Sequence, residues 1–329
     1  MEHSLDTHSL SGRRKGLSRR DFFASAAACA AAVALPSNTL QSRPSAGPYK
    51  GKLCFFSKPL PEMDWRRLAQ NAKRVGFGGI DLTVRTGGHV LPEKAAEDLP
   101  KAVAAIREEG LEVPMITTAL TSADDPTTRP ILSTAAKLSI PYYKPGYYMY
   151  DFIDVRKELE RAGAEFRRLA ALGGQYGIQV GYHNHQEYMG APVWDMARVI
   201  EPLDPKWVGY YFDPRHAVAE GGVGGWKIAT NLVMPRLKMV AVKDFYWEKT
   251  PTKGWQAVNC PLGEGMVDWK YFFKTIAQAG FQGPISLHIE YLDEEVAHST
   301  PANEEKILAA THRDLEFLKA RVREAYGEA

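Results

Sequence analysis

Short apolar runs rich in β-branched and aromatic residues alternate along this chain with longer stretches whose apolar positions recur every three or four residues. The first pattern predicts buried strands, the second helices with one apolar face. From Gly51 onward eight strand–helix pairs follow one another. Strands are predicted at Leu53–Phe56, Gly79–Thr83, Glu112–Thr117, Pro141–Lys144, Ile178–His183, Trp207–Asp213, Met239–Asp244 and Pro284–Glu290. Helices are predicted at Met63–Val75, Pro92–Glu109, Thr127–Leu138, Val155–Tyr176, Val193–Ile200, Trp226–Leu237, Trp269–Ala279 and Asn303–Ala325. Gly or Pro marks most junctions, as at Gly76, Gly110, Gly177, Gly280 and Gly283-Pro284, where neither residue extends a helix readily.

Parallel strands need long crossovers, so this alternation implies a parallel sheet. Eight units spread over about 280 residues match the (β/α)8 TIM barrel, a single-domain α/β fold of about 250 residues. The competing architecture is a doubly wound open sheet, but no G-x-G-x-x-G follows the first strand. The connection Phe245–Asp268 is long and carries Tyr246, Trp247, Lys249, Lys253 and Trp255. It reads as a loop that could lid a site.

Composition changes the picture mainly at the start of the chain. Overall, 45% hydrophobic and 24% charged residues are ordinary for a globular protein. Yet Arg13, Arg14, Lys15, Arg19 and Arg20 stand directly before an alanine-rich apolar run, Phe22 to Leu35. That run is shorter than the roughly 20 residues a bilayer requires. Ser18-Arg19-Arg20-Asp21-Phe22-Phe23 resembles a twin-arginine export motif. Residues 1–46 are therefore expected to be a Tat-type signal peptide and linker, and residues 47–329 the barrel. The expected location is the periplasm or cell envelope, with no stable membrane insertion after signal removal. Cutting after Ala46 removes six basic and three acidic residues, which takes the formal charge from +2 to −1. A nucleic-acid partner is not expected from that balance. Cys54 and Cys260 make no disulfide framework. The state of assembly stays open, a homo-oligomer included.

Chemistry collects where the predicted strands end, which in such a barrel is the catalytic face. Of the seven histidines beyond the signal, five stand at or just after strand ends: His89, His183, His185, His216 and His288. His183 and His185 are two apart and share a face, as do His288 and Glu290. A carboxylate pointing into a barrel must be paired, hydrogen-bonded or metal-bound. Asp213 and Glu290 with histidines form a set suited to a divalent ion such as Mn2+, Zn2+ or Mg2+. Lys243 reads equally as a substrate contact or as the salt-bridge partner of Asp213 or Asp244. Arg85, Lys144 and Glu187 complete the strand-end polar residues.

Together these motifs resemble the sugar phosphate isomerase/epimerase superfamily, the xylose-isomerase-like TIM barrels. The likeness is strongest to the exported branch with Tyr182-His183-Asn184-His185 on strand five. It runs through Gly79–Arg85 with Gly88-His89-Val90, Asp213–His216, Val242-Lys243-Asp244, Gly263-Glu264-Gly265 and His288–Tyr291. In the ketose epimerases the resemblance implies a divalent metal held by Glu, Asp, His and Glu on strands five to eight, with the two glutamates exchanging a proton with the sugar carbon. Asp213 matches the Asp, Glu290 the last Glu, and His216 a substrate-contacting His. His183 stands where strand five offers Glu, and Ala241 where strand seven offers the metal His.

The expected catalytic residues are Glu290, His183, His185 and Lys243. The expected metal ligands are Asp213, Glu290, His183 and His216. The expected substrate contacts are His89, Arg85, Lys144, Glu187 and His288. The resemblance implies an isomerase or epimerase that removes a proton next to a sugar carbonyl through an enediolate. The alternative is a lyase or dehydratase performing β-elimination on 3-keto-glycosides or inososes. A non-catalytic exported sugar-binding barrel is the second alternative. An abasic-site nuclease shares the barrel, but the mature charge and the export motif argue against it. The expected partner is a small carbohydrate or glycoside.

Overall fold

The computed structural model describes residues 47–292 and 300–327. The expected signal, residues 1–46, lies outside them. The strands are β1 (Leu53–Phe56), β2 (Gly79–Val84), β3 (Glu112–Thr118), β4 (Tyr142–Lys144), β5 (Gln179–His183), β6 (Val208–Phe212), β7 (Leu237–Val242), β8 (Asp244–Thr250), β9 (Gly254–Cys260) and β10 (Ile285–Leu287). Eight of them close a parallel barrel in the order β1-β10-β7-β6-β5-β4-β3-β2. The (β/α)8 expectation holds.

Helices α1 (Trp65–Val75), α2 (Ala95–Glu108), α3 (Thr128–Lys137), α4 (Val155–Tyr176), α5 (Trp194–Ile200), α6 (Pro214–Val233), α7 (Trp269–Gln278) and α8 (Pro301–Tyr326) surround the strands. Their ends follow local chemistry. Asp64 and Asp154 cap α1 and α4 by accepting from Arg67 N and Lys157 N, and Gly76 and Gly177 end those helices at positive φ. There a side chain would be strained, and glycine is not.

Strand alternation divides the core in two. On β2, Ile80, Leu82 and Val84 belong to the main core, while Asp81 and Thr83 turn the other way. Met115, Tyr211, Met239 and Ala241 form a separate buried cluster, the floor of the barrel interior. Everything placed above that floor stands at the strands' C-terminal ends.

Three expectations need correction. Phe245–Asp268 is not a plain loop, because β8 and β9 pair antiparallel across it, with Trp247 opposite Ala257 and Lys249 opposite Trp255. The reason lies in its β-prone composition, Phe245-Tyr246-Trp247 on one side and Trp255 with Val258 on the other, which pair across a short turn. The helix expected at Trp226–Leu237 begins twelve residues earlier, at Pro214. Asp213 caps it, Pro214 fills its first turn, and the chain breaks at Gly222, with φ 56°. The glycines around that break blur the helical period. The last strand is also shorter than expected, although His288 N still donates to Val242 O at 3.0 Å. Among the described residues, no helix is long and apolar enough to cross a membrane. Cys54 and Cys260 are both buried and unpaired.

Candidate active site

Asp213 anchors one wall of the site. It ends β6 and caps α6, so its Oδ1 accepts from Arg215 N at 2.8 Å and His216 N at 3.3 Å. Asn184, just past β5, clasps its backbone: Asp213 N donates to Asn184 Oδ1 at 2.8 Å, and Asn184 Nδ2 donates to Asp213 O at 2.9 Å. The cap leaves Oδ2 free to look inward. It stands 3.5 Å from His183 Nε2, 3.5 Å from His216 Nε2 and 3.6 Å from Lys243 Nζ. Burial would raise this carboxyl, but Lys243 and His183 outweigh it and hold Asp213 below the usual range.

The three residues His183, Asp213 and His216 offer ligand atoms within 4.8 Å of one another, all buried. Burial, the largest influence, lowers His183 to about 4 and pushes His216 well below the ordinary imidazole value. Both rings are therefore neutral, the state that binds a metal. His216 Nε2 is buried with no hydrogen-bond partner. Arg215 Nη1 contacts His216 Nδ1 at 3.1 Å. An arginine only donates, so ligation through Nε2 moves the ring proton to Nδ1 and obliges Arg215 to release that nitrogen. Its other partners, Asn259, Gln186 and Ala257 O, remain to hold it. Two imidazoles and a carboxylate fit a divalent cation.

Glu290 stands apart from that cluster. Its Oε2 accepts from Lys243 Nζ at 2.5 Å and its Oε1 from Lys58 Nζ at 3.2 Å. Burial would raise its carboxyl, but Lys243 and Lys58 overcome that and hold it well below the ordinary value. Lys243 thus links Glu290 to Asp213, the salt-bridge role read for it in the sequence, while Asp244 accepts elsewhere, from Gly263 N and Trp269 Nε1. The expected metal ligand Glu290 is here the counter-ion of two ammonium groups.

His183, Lys243, Glu290 and Lys58 line one cavity at the barrel mouth, of roughly 100 Å³, with Arg85, Lys144, Tyr147, His185, Tyr211, His288 and Phe56 on its other sides, while Asp213 and His216 lie behind His183 and Lys243 and do not line it. His185 Nδ1 lies 2.8 Å from the Gln186 carbonyl. That acceptor fixes the proton on Nδ1 and leaves Nε2 with the lone pair. Burial lowers this ring to about 3. Lys144 is buried with its ammonium 3.4 Å above the Tyr147 ring centre. Burial first, then Arg85, lowers its pKa well below that of an ordinary lysine.

Two expected substrate contacts are not among the cavity's lining residues. His89 is buried beneath the turn after β2, with its Nδ1 3.3 Å from Thr83 Oγ1 and its carbonyl accepting from Trp65 Nε1 at 3.0 Å. That turn doubles back, since Val90 N donates to Thr83 O. Glu187 is exposed at positive φ, 71°. The sequence reading missed Asp81, Tyr147 and Tyr211. Asp81 is fully buried, and burial raises it to about 6 against hydroxyls of Thr117, Ser286 and Tyr211. The alternation Gly79-Ile80-Asp81-Leu82-Thr83 already placed it on the inward face.

A family model described as xylose isomerase-like TIM barrel matches residues 69–320. The chain belongs to that family. An inosose dehydratase of Bacillus velezensis is 24% identical over 161 residues, which is 46% of this chain and 52% of that protein. The chain spans about half the length of the curated relatives it matches. Among solved structures, 3-keto-D-glucoside 4-epimerase from E. coli superposes with a TM-score of 0.61 at 16% identity, over 82% of this chain and 100% of that one. A xylose isomerase-like TIM barrel protein from Mycobacterium smegmatis in complex with magnesium gives 0.59 at 16% identity, over 81% and 98%. At such identities the likeness is one of fold.

Proposed function

We propose that this family member is a metal-dependent carbohydrate isomerase or epimerase acting on a keto sugar. The observation that carries the reading is the joining of two sets of groups through Lys243 at a cavity that His183, Lys243 and Glu290 line. The His183–Asp213–His216 cluster, its two rings neutral, stands beside Glu290, whose partner Lys243 also reaches Asp213. When bound there, a divalent ion supplies Lewis-acid polarisation of the substrate oxygens. Two imidazole donors suit Zn2+ or Mn2+ better than Mg2+.

The chain's own residues do the rest. Lys243 can donate to the oxygen on which charge develops as the proton leaves the neighbouring carbon. Glu290 and the lone pair on His185 Nε2 face the cavity as proton carriers. Arg85 and Lys144 offer donors to sugar hydroxyls. The Phe56 ring supplies an apolar wall.

A second reading is β-elimination from a 3-keto-glycoside or inosose. It is favoured by His183 in place of a strand-five glutamate and by the inosose dehydratase relatives. Here the C–H electrons form a C=C bond, the β C–O bond breaks, and a proton passes to the departing oxygen. One acceptor and one donor suffice.

Metal analysis of the purified protein, followed by incubation with 3-keto-glucosides and free ketoses in heavy water, tests both readings. Solvent deuterium in an intact sugar is the expected isomerase result, and a released aglycone is the elimination result. Neither product, with no stoichiometric divalent ion, sinks the enzyme reading and leaves a sugar-binding barrel. The reading includes export by the twin-arginine route to the periplasm or cell envelope, a localisation that cell fractionation tests.

A further inference from the structure

Below the cavity, three strands converge on one carboxylate. Asp81 Oδ1 accepts from Thr117 Oγ1 on β3 at 2.8 Å, and its Oδ2 from Ser286 Oγ on β10 at 2.8 Å and Tyr211 Oη on β6 at 3.2 Å. Tyr211 Oη also lies 3.0 Å from His288 Nε2. A phenol has one proton. With that proton on the Asp81 carboxylate, the Tyr211 oxygen accepts, so the hydrogen of the His288 ring must sit on Nε2. The lone pair of the neutral ring is then on Nδ1. That atom is buried with no hydrogen-bond partner, on a ring that lines the cavity. Phe56 holds the ring plane by stacking at 4.0 Å between centres, 17° from parallel.

We infer that His288 is a proton acceptor of the cavity, held in its Nε2–H tautomer by Asp81 acting through Tyr211. The inference rests on the proposed proton abstraction next to a sugar carbonyl and assigns a carrier for its proton. The substrate C–H bond breaks, its electron pair enters the enediolate, and a new N–H bond forms at Nδ1. The imidazolium so made has a carboxylate 4.0 Å from each nitrogen, Asp81 Oδ2 at Nε2 and Glu290 Oε1 at Nδ1. Opposite charge on both sides stabilises the charged ring, the logic of a carboxylate-backed histidine. Burial, Lys243 and His183 oppose protonation of His288 as they do of His185, and what sets His288 apart is the carboxylate near each of its nitrogens. Asp81 and Tyr211 are positioning residues, and His288 fills the place that the strand-five glutamate leaves open.

The tautomer can be read without any substrate. In protein with 15N-labelled histidine at pH 8, long-range N–H correlation spectra distinguish the two neutral forms, and His288→Gln identifies the signals. The expected wild-type result is the Nε2–H form alone, with the Nδ1–H form appearing in Tyr211→Phe and Asp81→Asn. An Nδ1–H ring in the wild type overturns the inference, as does an unchanged tautomer in both variants. If one variant does not fold, the other and the wild type still decide. With a turned-over 3-keto-glucoside as probe, Tyr211→Phe should lower kcat by about 10²-fold with KM little changed. An unchanged kcat overturns the catalytic role. A correct tautomer in a protein that turns over none of the probes instead places the failure in the proposed reaction.

Discussion

His89 and His183 are both lowered to about 4 by burial, yet only His183 lines the cavity. In sequence they looked alike, each a histidine at the end of a β-rich run. What separates them is the turn at Gly87-Gly88, which folds His89 back under β2. A single strand's period cannot show such a return. The sign of the linkage follows from the lowered value. Unfolded His89 takes a proton near 6.5 and folded His89 only near 4, so its contribution is complete above about 6.5 and is lost as pH falls toward about 4. At about 1.4 kcal/mol per unit this amounts to about 3 kcal/mol. Asp81 runs the other way. Raised to about 6, its contribution is present below the usual carboxylate value and is lost as pH rises through about 6. His89→Gln is therefore expected to lose about 2 kcal/mol less stability than the wild type between pH 7 and 4.5. Urea unfolding at the two pH values measures this, and an equal loss in both proteins would show that His89 is not held neutral by the fold.

At the scale of elements, the junction of β6 and α6 carries two functions on one side chain. Asp213 Oδ1 caps the helix and Oδ2 faces His183, His216 and Lys243. The sequence Asp213-Pro214 was legible as a helix start, an N-cap followed by proline in the first turn. The run of glycines from Gly221 to Gly225 hid it by breaking the apolar period on which the helix was sought. The hairpin of β8 and β9 was hidden differently, because its aromatic and polar residues fall in blocks rather than alternating, so no strand period stood out. The shared side chain can be divided by substitution. Asn caps nearly as well as Asp, whereas Ala forfeits about 1 kcal/mol. Asp213→Asn should keep the wild-type unfolding midpoint to within that margin while losing stoichiometric divalent ion. Asp213→Ala should lose both. Retained metal in folded Asp213→Asn would remove this carboxylate from the ligand set.

For the whole molecule, the barrel was the most legible feature, because eight repeats of strand and helix each need two neighbours and only closure gives both to all. The seam of that closure joins parts of the chain far apart in sequence. β1 pairs with β10, Leu53 opposite Ile285. Just outside it, Tyr49 Oη donates to Gly283 O at 2.6 Å, and its ring lies 5.3 Å from that of Tyr326. The barrel therefore cannot close until nearly all of the chain has been made, which suits a route that carries proteins already folded. It also sets a limit on processing. A cut beyond Tyr49 would remove the seam contact, so the mature chain should begin at or before Tyr49. The double variant Arg19→Lys, Arg20→Lys should accumulate folded, metal-containing protein in the cytoplasm while the wild type appears in the periplasmic or envelope fraction. Fractionation and N-terminal sequencing of the exported form check both points. Unimpaired export of the double variant would exclude the twin-arginine route, and a mature chain starting beyond Tyr49 would show that the seam is not needed to hold the barrel closed.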